Sequence, residues 1–163
     1  MAAGAPGLEM TETGFCIGIA SRELEVRAAL GELRRRLGAL GLAEGDCETA
    51  EIVLGEVLNN VVEHAYGAGR AGPVEIFCRP GAAGLFFDVR DGGQPMPGLR
   101  LPPGDPPDPG CARADTPEGG FGWFLVRSLA TGLAYRRAGR WNLLEFEIPL
   151  QVVPCPEAGR KIL

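Results

Sequence analysis

E-V-L-N-N-V-V-E-H-A-Y, from Glu56 to Tyr66, reads as the second half of an amphipathic helix. Val57, Leu58, Val61 and Val62 continue the apolar stripe begun by Ile52 and Val53. The spacing therefore predicts a helix from about Asp46 to Tyr66 that ends at Gly67. Glu56 and Asn60 are four residues apart and share a face, with His64 one further turn along. A carboxylate and a carboxamide so placed offer hard oxygens to a hydrated divalent ion and can orient a hydroxyl or a water. The same pattern also fits an ordinary solvated helix face, so the motif alone does not choose.

Upstream, F-C-I-G-I-A (Phe15 to Ala20) reads as a short strand. Ser21 follows as the expected N-cap of a first helix, with Val26, Leu30, Leu33, Leu37 and Leu40 at helical spacing and Gly41 as its stop. The Arg34-Arg35-Arg36 run sits mostly off that stripe. Downstream, Val74 to Arg79 and Leu85 to Arg90 are expected strands joined by a hairpin over Pro80 to Gly84.

The second of these strands runs into D-G-G-Q-P, Asp91 to Pro95. An aspartate just past a buried strand can present its carboxylate in a pocket, and Asp-Gly is equally a turn signal. From Gly92 to Gly120 the chain is dominated by glycine, proline and aspartate, and P-P-G-D-P-P-D-P-G (Pro102 to Gly110) can form neither helix nor paired strand. A long loop of this kind is usually functional, often a lid. It opens into G-G-F-G-W-F-L-V, where glycines precede an apolar helix from Gly122 to Ala130. Such an entry leaves amide N–H groups free for phosphate, or is simply a glycine-rich helix start packed by Trp123 and Phe124. Strands Leu133 to Arg137 and Asn142 to Pro149 close the pattern.

Composition removes several alternatives. A chain of 163 residues that is 45% hydrophobic fits one domain spanning residues 1–163. The net charge of -5 gives no electrostatic footprint for non-specific nucleic-acid binding. One histidine rules out a histidine-built metal centre. The single lysine, Lys161, leaves no lysine for a phosphate-binding loop of the G-x-x-x-x-G-K type. Five cysteines (Cys16, Cys47, Cys78, Cys111, Cys155) without a C-x-x-C pair fit reduced thiols. No signal-peptide pattern or membrane span is legible, so the expectation is a soluble cytoplasmic protein.

In this order, and with the proline-rich stretch between the last two, the three segments resemble the N, G1 and G2 boxes of the GHKL ATPases. Within that superfamily the chain looks most like the small stand-alone anti-sigma factor/serine-protein kinases of bacterial partner-switching systems. The resemblance runs from the first strand to about Leu150. It implies a Bergerat-type α+β two-layer sandwich, with a mixed, mostly antiparallel sheet and helices on one face. By the same resemblance Asn60 would bind magnesium and Glu56 would activate the attacking hydroxyl. Asp91 would accept a hydrogen bond from the adenine amino group, and Gly93 would let the base approach closely. Gly120 and Gly122 would wrap the phosphates, with Pro95 to Glu118 as the ATP lid. His64 and Tyr66 match N-box positions common in the small kinases, and His64 is read as structural ahead of nucleotide contact.

The implied cofactors are ATP and Mg2+. The implied partners are a STAS-type anti-sigma-factor antagonist, as phosphoacceptor, and a sigma factor, with no direct nucleic acid and no membrane. Homodimerisation is left open. A binding switch that senses nucleotide but transfers nothing is the alternative. The chain departs from the pattern in the Asn59-Asn60 pair, in bulky Phe121 and Trp123 around the G2 glycines, and in the proline content of the lid.

Overall fold

A computed structural model describes residues 14–106 and 120–151. Its strands are β1 (Phe15–Ala20), β2 (Pro73–Pro80), β3 (Gly84–Asp91), β4 (Thr131–Ala138) and β5 (Trp141–Pro149), and its helices α1 (Glu23–Ala39), α2 (Glu44–Asn60) and α3 (Gly120–Leu129). The sheet order is β1-β2-β3-β5-β4, and every neighbouring pair is antiparallel. The expected mixed sheet is therefore wholly antiparallel among the described strands. The helices cover one face, giving the two-layer α+β arrangement.

Period-2 alternation decides which strand residues face the helices. Val74, Ile76 and Cys78 of β2, Leu85, Phe87 and Val89 of β3, and Leu144, Phe146 and Ile148 of β5 are buried in one core with Leu33 and Leu37 of α1 and Val53, Leu54, Val57 and Leu58 of α2. Phe87 and Phe146 sit opposite each other in the register and stack with centroids 5.1 Å apart. Such a pair contributes about 0.5–1.5 kcal/mol beyond its buried area. Burial also pushes the Cys78 thiol up to about 12. Cys16, Cys47 and Cys78 are unpaired, while Cys111 and Cys155 lie outside the described residues.

Two rows of this pattern end in polar residues. Asp91 continues the core-facing row of Leu85, Phe87 and Val89, and Asn142 continues that of Leu144, Phe146 and Ile148. The register places these two residues directly opposite one another, both buried.

The start of α1 differs from the sequence expectation. Its N-cap is Arg22, not Ser21, and Glu25 reaches back to accept from Ala20 N. Ser21 instead accepts from Gly72 N through Oγ at 3.0 Å and donates its own N–H to Gly72 O at 2.9 Å, so it clamps the β1 exit to the β2 entry. The basic run of α1 is neutralised locally, Arg34 by Glu44 and Glu51, Arg35 and Arg36 by Glu32.

The helix predicted from Asp46 to Tyr66 starts at Glu44 and changes character after Asn60. Over Val61–Tyr66 it widens into a π-helical turn, closed where Gly67 N donates to Val62 O five residues back. Such widened turns frequently mark functional sites.

Candidate nucleotide site

The α2 C-terminus with its widened turn meets both the β3 end and the start of α3, and the β4–β5 hairpin meets the β3 end. Asp91 is 5% exposed. Its Oδ1 accepts from Gly93 N and from Asn142 Nδ2, each at 2.8 Å. No hydrogen bond to Oδ2 is formed among the described residues. Burial raises the Asp91 pKa, while Asn142, Gly93 and Arg137 pull it back down.

Tyr66 closes the turn around this aspartate. Its hydroxyl donates to Pro73 O and accepts from Gly92 N, both at 2.8 Å, tying the widened turn to the β2 start and the β3 exit. Gly93 then packs so closely that a Cβ there would lie 2.6 Å from the Ala65 carbonyl carbon and oxygen. Gln94 N donates to that same Ala65 oxygen. In this structure Gly93 is a glycine because helix backbone occupies the space of a side chain. Tyr66→Phe should destabilise the fold by about 1–3 kcal/mol, since Gly92 N loses its acceptor. A denaturation midpoint equal to the wild type's would show that the tie carries no stability.

Glu56 and Asn60 are both half-buried and both meet α3, whereas Asn59 is exposed. Asn60 Oδ1 accepts from the Trp123 indole N–H at 3.2 Å, and Trp123 itself is 4% exposed. The Glu56 carboxylate fills the space a Cβ on Gly122 would need. Its pKa is raised by burial and, secondarily, by the negative charge of Glu63. Gly120 opens α3 and Gly122 is its third residue. The amides of a first helical turn have no intrahelical acceptor, and the helix dipole makes that end attractive to anions.

His64, expected to be structural ahead of nucleotide contact, lies at the surface. The widened turn carries its side chain outward, 52% exposed, with Glu63 as its charged neighbour at 4.0 Å. It is not packed in the core. The expected lid, Pro95 to Glu118, is described only to Pro106, and residues 107–119 lie outside the described part. Its first residues are anchored. Met96 and Leu101 pack against the core, Met96 N donates to Tyr135 Oη at 2.9 Å, and Arg127 Nε donates to Pro102 O at 2.8 Å. Leu99 is exposed with a φ of 55°.

The residues fit a magnesium–triphosphate in the donors they offer. Mg2+ usually keeps several waters and takes one or two protein oxygens along with substrate phosphates. Asn60 Oδ1 is such an oxygen, and among the described residues only the Trp123 indole donates to it, which uses one of a carbonyl's two lone pairs. Among the described residues no group of three or more His, Cys, Asp or Glu could hold a metal by itself. Asp91 Oδ2 would accept from an exocyclic amine, and the opening amides of α3 would meet phosphate.

Sequence reasoning did not single out Asn142, Tyr135 or Arg137 as members of this site. The signal that finds Asn142 is parity, because it occupies a core-facing position in an otherwise apolar row.

Residues 19–148 match the protein family described as "Histidine kinase-like ATPase domain". No curated protein matches the chain. Among solved structures, the chain is similar to the crystal structure of the RsbU and RsbW domains of Rv1364c from Mycobacterium tuberculosis. The TM-score is 0.58 at 16% identity, over 84% of this chain and 32% of that one. The shared feature at that identity is the fold, and the chain spans about a third of that protein's length. No described helix is long and apolar enough to cross a membrane.

Proposed function

Because the chain belongs to the histidine kinase-like ATPase domain family, we propose that it binds Mg–ATP and acts as an anti-sigma regulatory factor that phosphorylates a serine or threonine of a small STAS-type anti-sigma-factor antagonist. A sigma factor is the second partner in this reading. The observation that carries the nucleotide part is the buried Asp91 carboxylate at the end of an apolar row, with one oxygen committed to the protein and the other without a partner among the described residues. Asp91 Oδ2 accepts from the base, the opening amides of α3 hold phosphate oxygens, and Asn60 Oδ1 holds the metal. When bound, Mg2+ neutralises triphosphate charge, which suits a site without lysine. Glu56 lies against Gly122, and in this reading it accepts the proton of an attacking hydroxyl.

A second reading, a nucleotide-dependent binding switch without transfer, is favoured by one feature. Both Glu56 and Asn60 are engaged with α3, Asn60 through the buried Trp123. Mass spectrometry of a STAS-type antagonist incubated with the protein, ATP and Mg2+ separates the two. The kinase reading expects phosphoserine or phosphothreonine on the antagonist. ATP binding and partner retention with no phosphate transferred would leave the switch.

A further inference from the structure

Asn142 has no hydrogen-bonding position left for a ligand. Its Nδ2 donates to Asp91 Oδ1 at 2.8 Å, to Gln94 O at 3.0 Å and more distantly to Gly93 O at 3.4 Å. Its Oδ1 accepts from Tyr135 Oη and from Arg137 Nη1, both at 2.7 Å. A carboxamide has two N–H donors and one oxygen with two lone pairs, so all are used inside the protein. The partners also fix which way the amide faces. Turned over, its NH2 would meet the Arg137 guanidinium and its oxygen the Asp91 carboxylate. Tyr135, having given its proton to Asn142, accepts from Met96 N at 2.9 Å. Arg137 Nη1 also donates to Gly93 O at 2.8 Å. One buried side chain thus joins β3, β4, β5 and the turn from Gly93 to Met96.

We propose that Asn142 is a positioning residue which, held by Tyr135 and Arg137, takes up Asp91 Oδ1 so that Oδ2 alone is presented to the amino group of a base. The consequence is selectivity. A carboxylate that only accepts favours a base carrying an amino group at this point and disfavours one carrying a keto oxygen. The groups facing Asp91 are Asn142 from β5, Arg137 from β4, Tyr66 from the widened turn and the Gly93 amide. Of these, Asn142 and Gly93 donate directly to the carboxylate and favour its ionised form. Replacing Asn142 by aspartate would set two carboxyl groups against each other, and such a pair retains a proton. That proton can be donated to a keto oxygen.

The inference rests on the nucleotide-binding reading, but part of its test does not. The carboxyl 13C titration of Asp91 is followed in the ligand-free wild type, Asn142→Leu, Asn142→Asp and Tyr135→Phe, and calorimetry then gives ATP and GTP affinities for each. In Asn142→Leu the Asp91 midpoint should rise and ATP affinity should fall about tenfold or more, the scale of a lost bond to a charged group. Tyr135→Phe, which keeps the ring, should move both in the same direction by less. Asn142→Asp should shrink the preference for ATP over GTP about tenfold and make it depend on pH. If Asn142→Leu does not fold, the other two variants decide. An unchanged Asp91 titration together with an unchanged ATP-to-GTP ratio in the folded variants overturns the proposal. If the wild type ignores both nucleotides, the functional reading and the selectivity fail, and the titration alone decides whether Asn142 positions Asp91.

Discussion

Glu56→Gln should lower phosphorylation of the antagonist about a hundredfold or more while leaving ATP affinity within about twofold, the scale of lost acid–base catalysis. Glutamine keeps the length, the shape and a carbonyl oxygen, so the packing against Gly122 survives. It removes only the basicity. Burial and the Glu63 charge hold the Glu56 carboxyl above the usual carboxylate range, which makes it a better proton acceptor than an exposed glutamate. The sign of the pH effect follows. As pH falls through that raised pKa, Glu56 takes up a proton and can no longer accept one from a hydroxyl, so transfer should fall. That acid limb should vanish in Glu56→Gln. Normal transfer by the variant would remove Glu56 from the chemistry.

Asp91→Ala should weaken ATP binding by about 1.5–3 kcal/mol, roughly ten- to hundredfold, the range for losing a charged hydrogen-bond partner. Its effect on stability should be much smaller at neutral pH. Burial raises the folded-state pKa of Asp91, so the folded protein holds this proton more tightly than the unfolded chain. Asp91 therefore favours the fold below the unfolded pKa, and that contribution is lost as pH rises through the folded pKa. Removing it at pH 7 costs the Asn142 and Gly93 bonds and relieves the burial of a charge. The measurement is calorimetric affinity alongside thermal unfolding. A large drop in melting temperature with affinity preserved would reverse the assignment.

Much of this was legible in the sequence because it depends on local periodicity. Alternation marked β2, β3 and β5, and the apolar stripe marked α2 with Glu56 and Asn60 on its half-buried side. Asn59 is exposed, and the neighbouring Asn60, four positions from Glu56, is half-buried. What was not legible depends on distant partners. Ser21 has the chemistry of an N-cap, but its hydroxyl serves Gly72, 51 positions away. The widened turn after Asn60 leaves the amino-acid pattern helical, so a repeat of four cannot reveal it. Gly93 carries the turn signal of Asp-Gly-Gly, whereas the space of its missing side chain belongs to Ala65. Asn142 matched no motif; parity marks it as a polar residue in a core-facing row, and its register opposite Asp91 gives it its partner.

In the proposed complex Asp91 reads the base and Asn60 holds the metal of one bound nucleotide. A crystal structure with a non-hydrolysable ATP analogue and Mg2+ tests it most directly. The exocyclic amine of adenine should lie about 2.7–3.2 Å from Asp91 Oδ2. The metal should lie about 2.0–2.1 Å from Asn60 Oδ1, with phosphate oxygens on the opening amides of α3. An analogue bound away from Asp91, or a metal coordinated without Asn60, would contradict it.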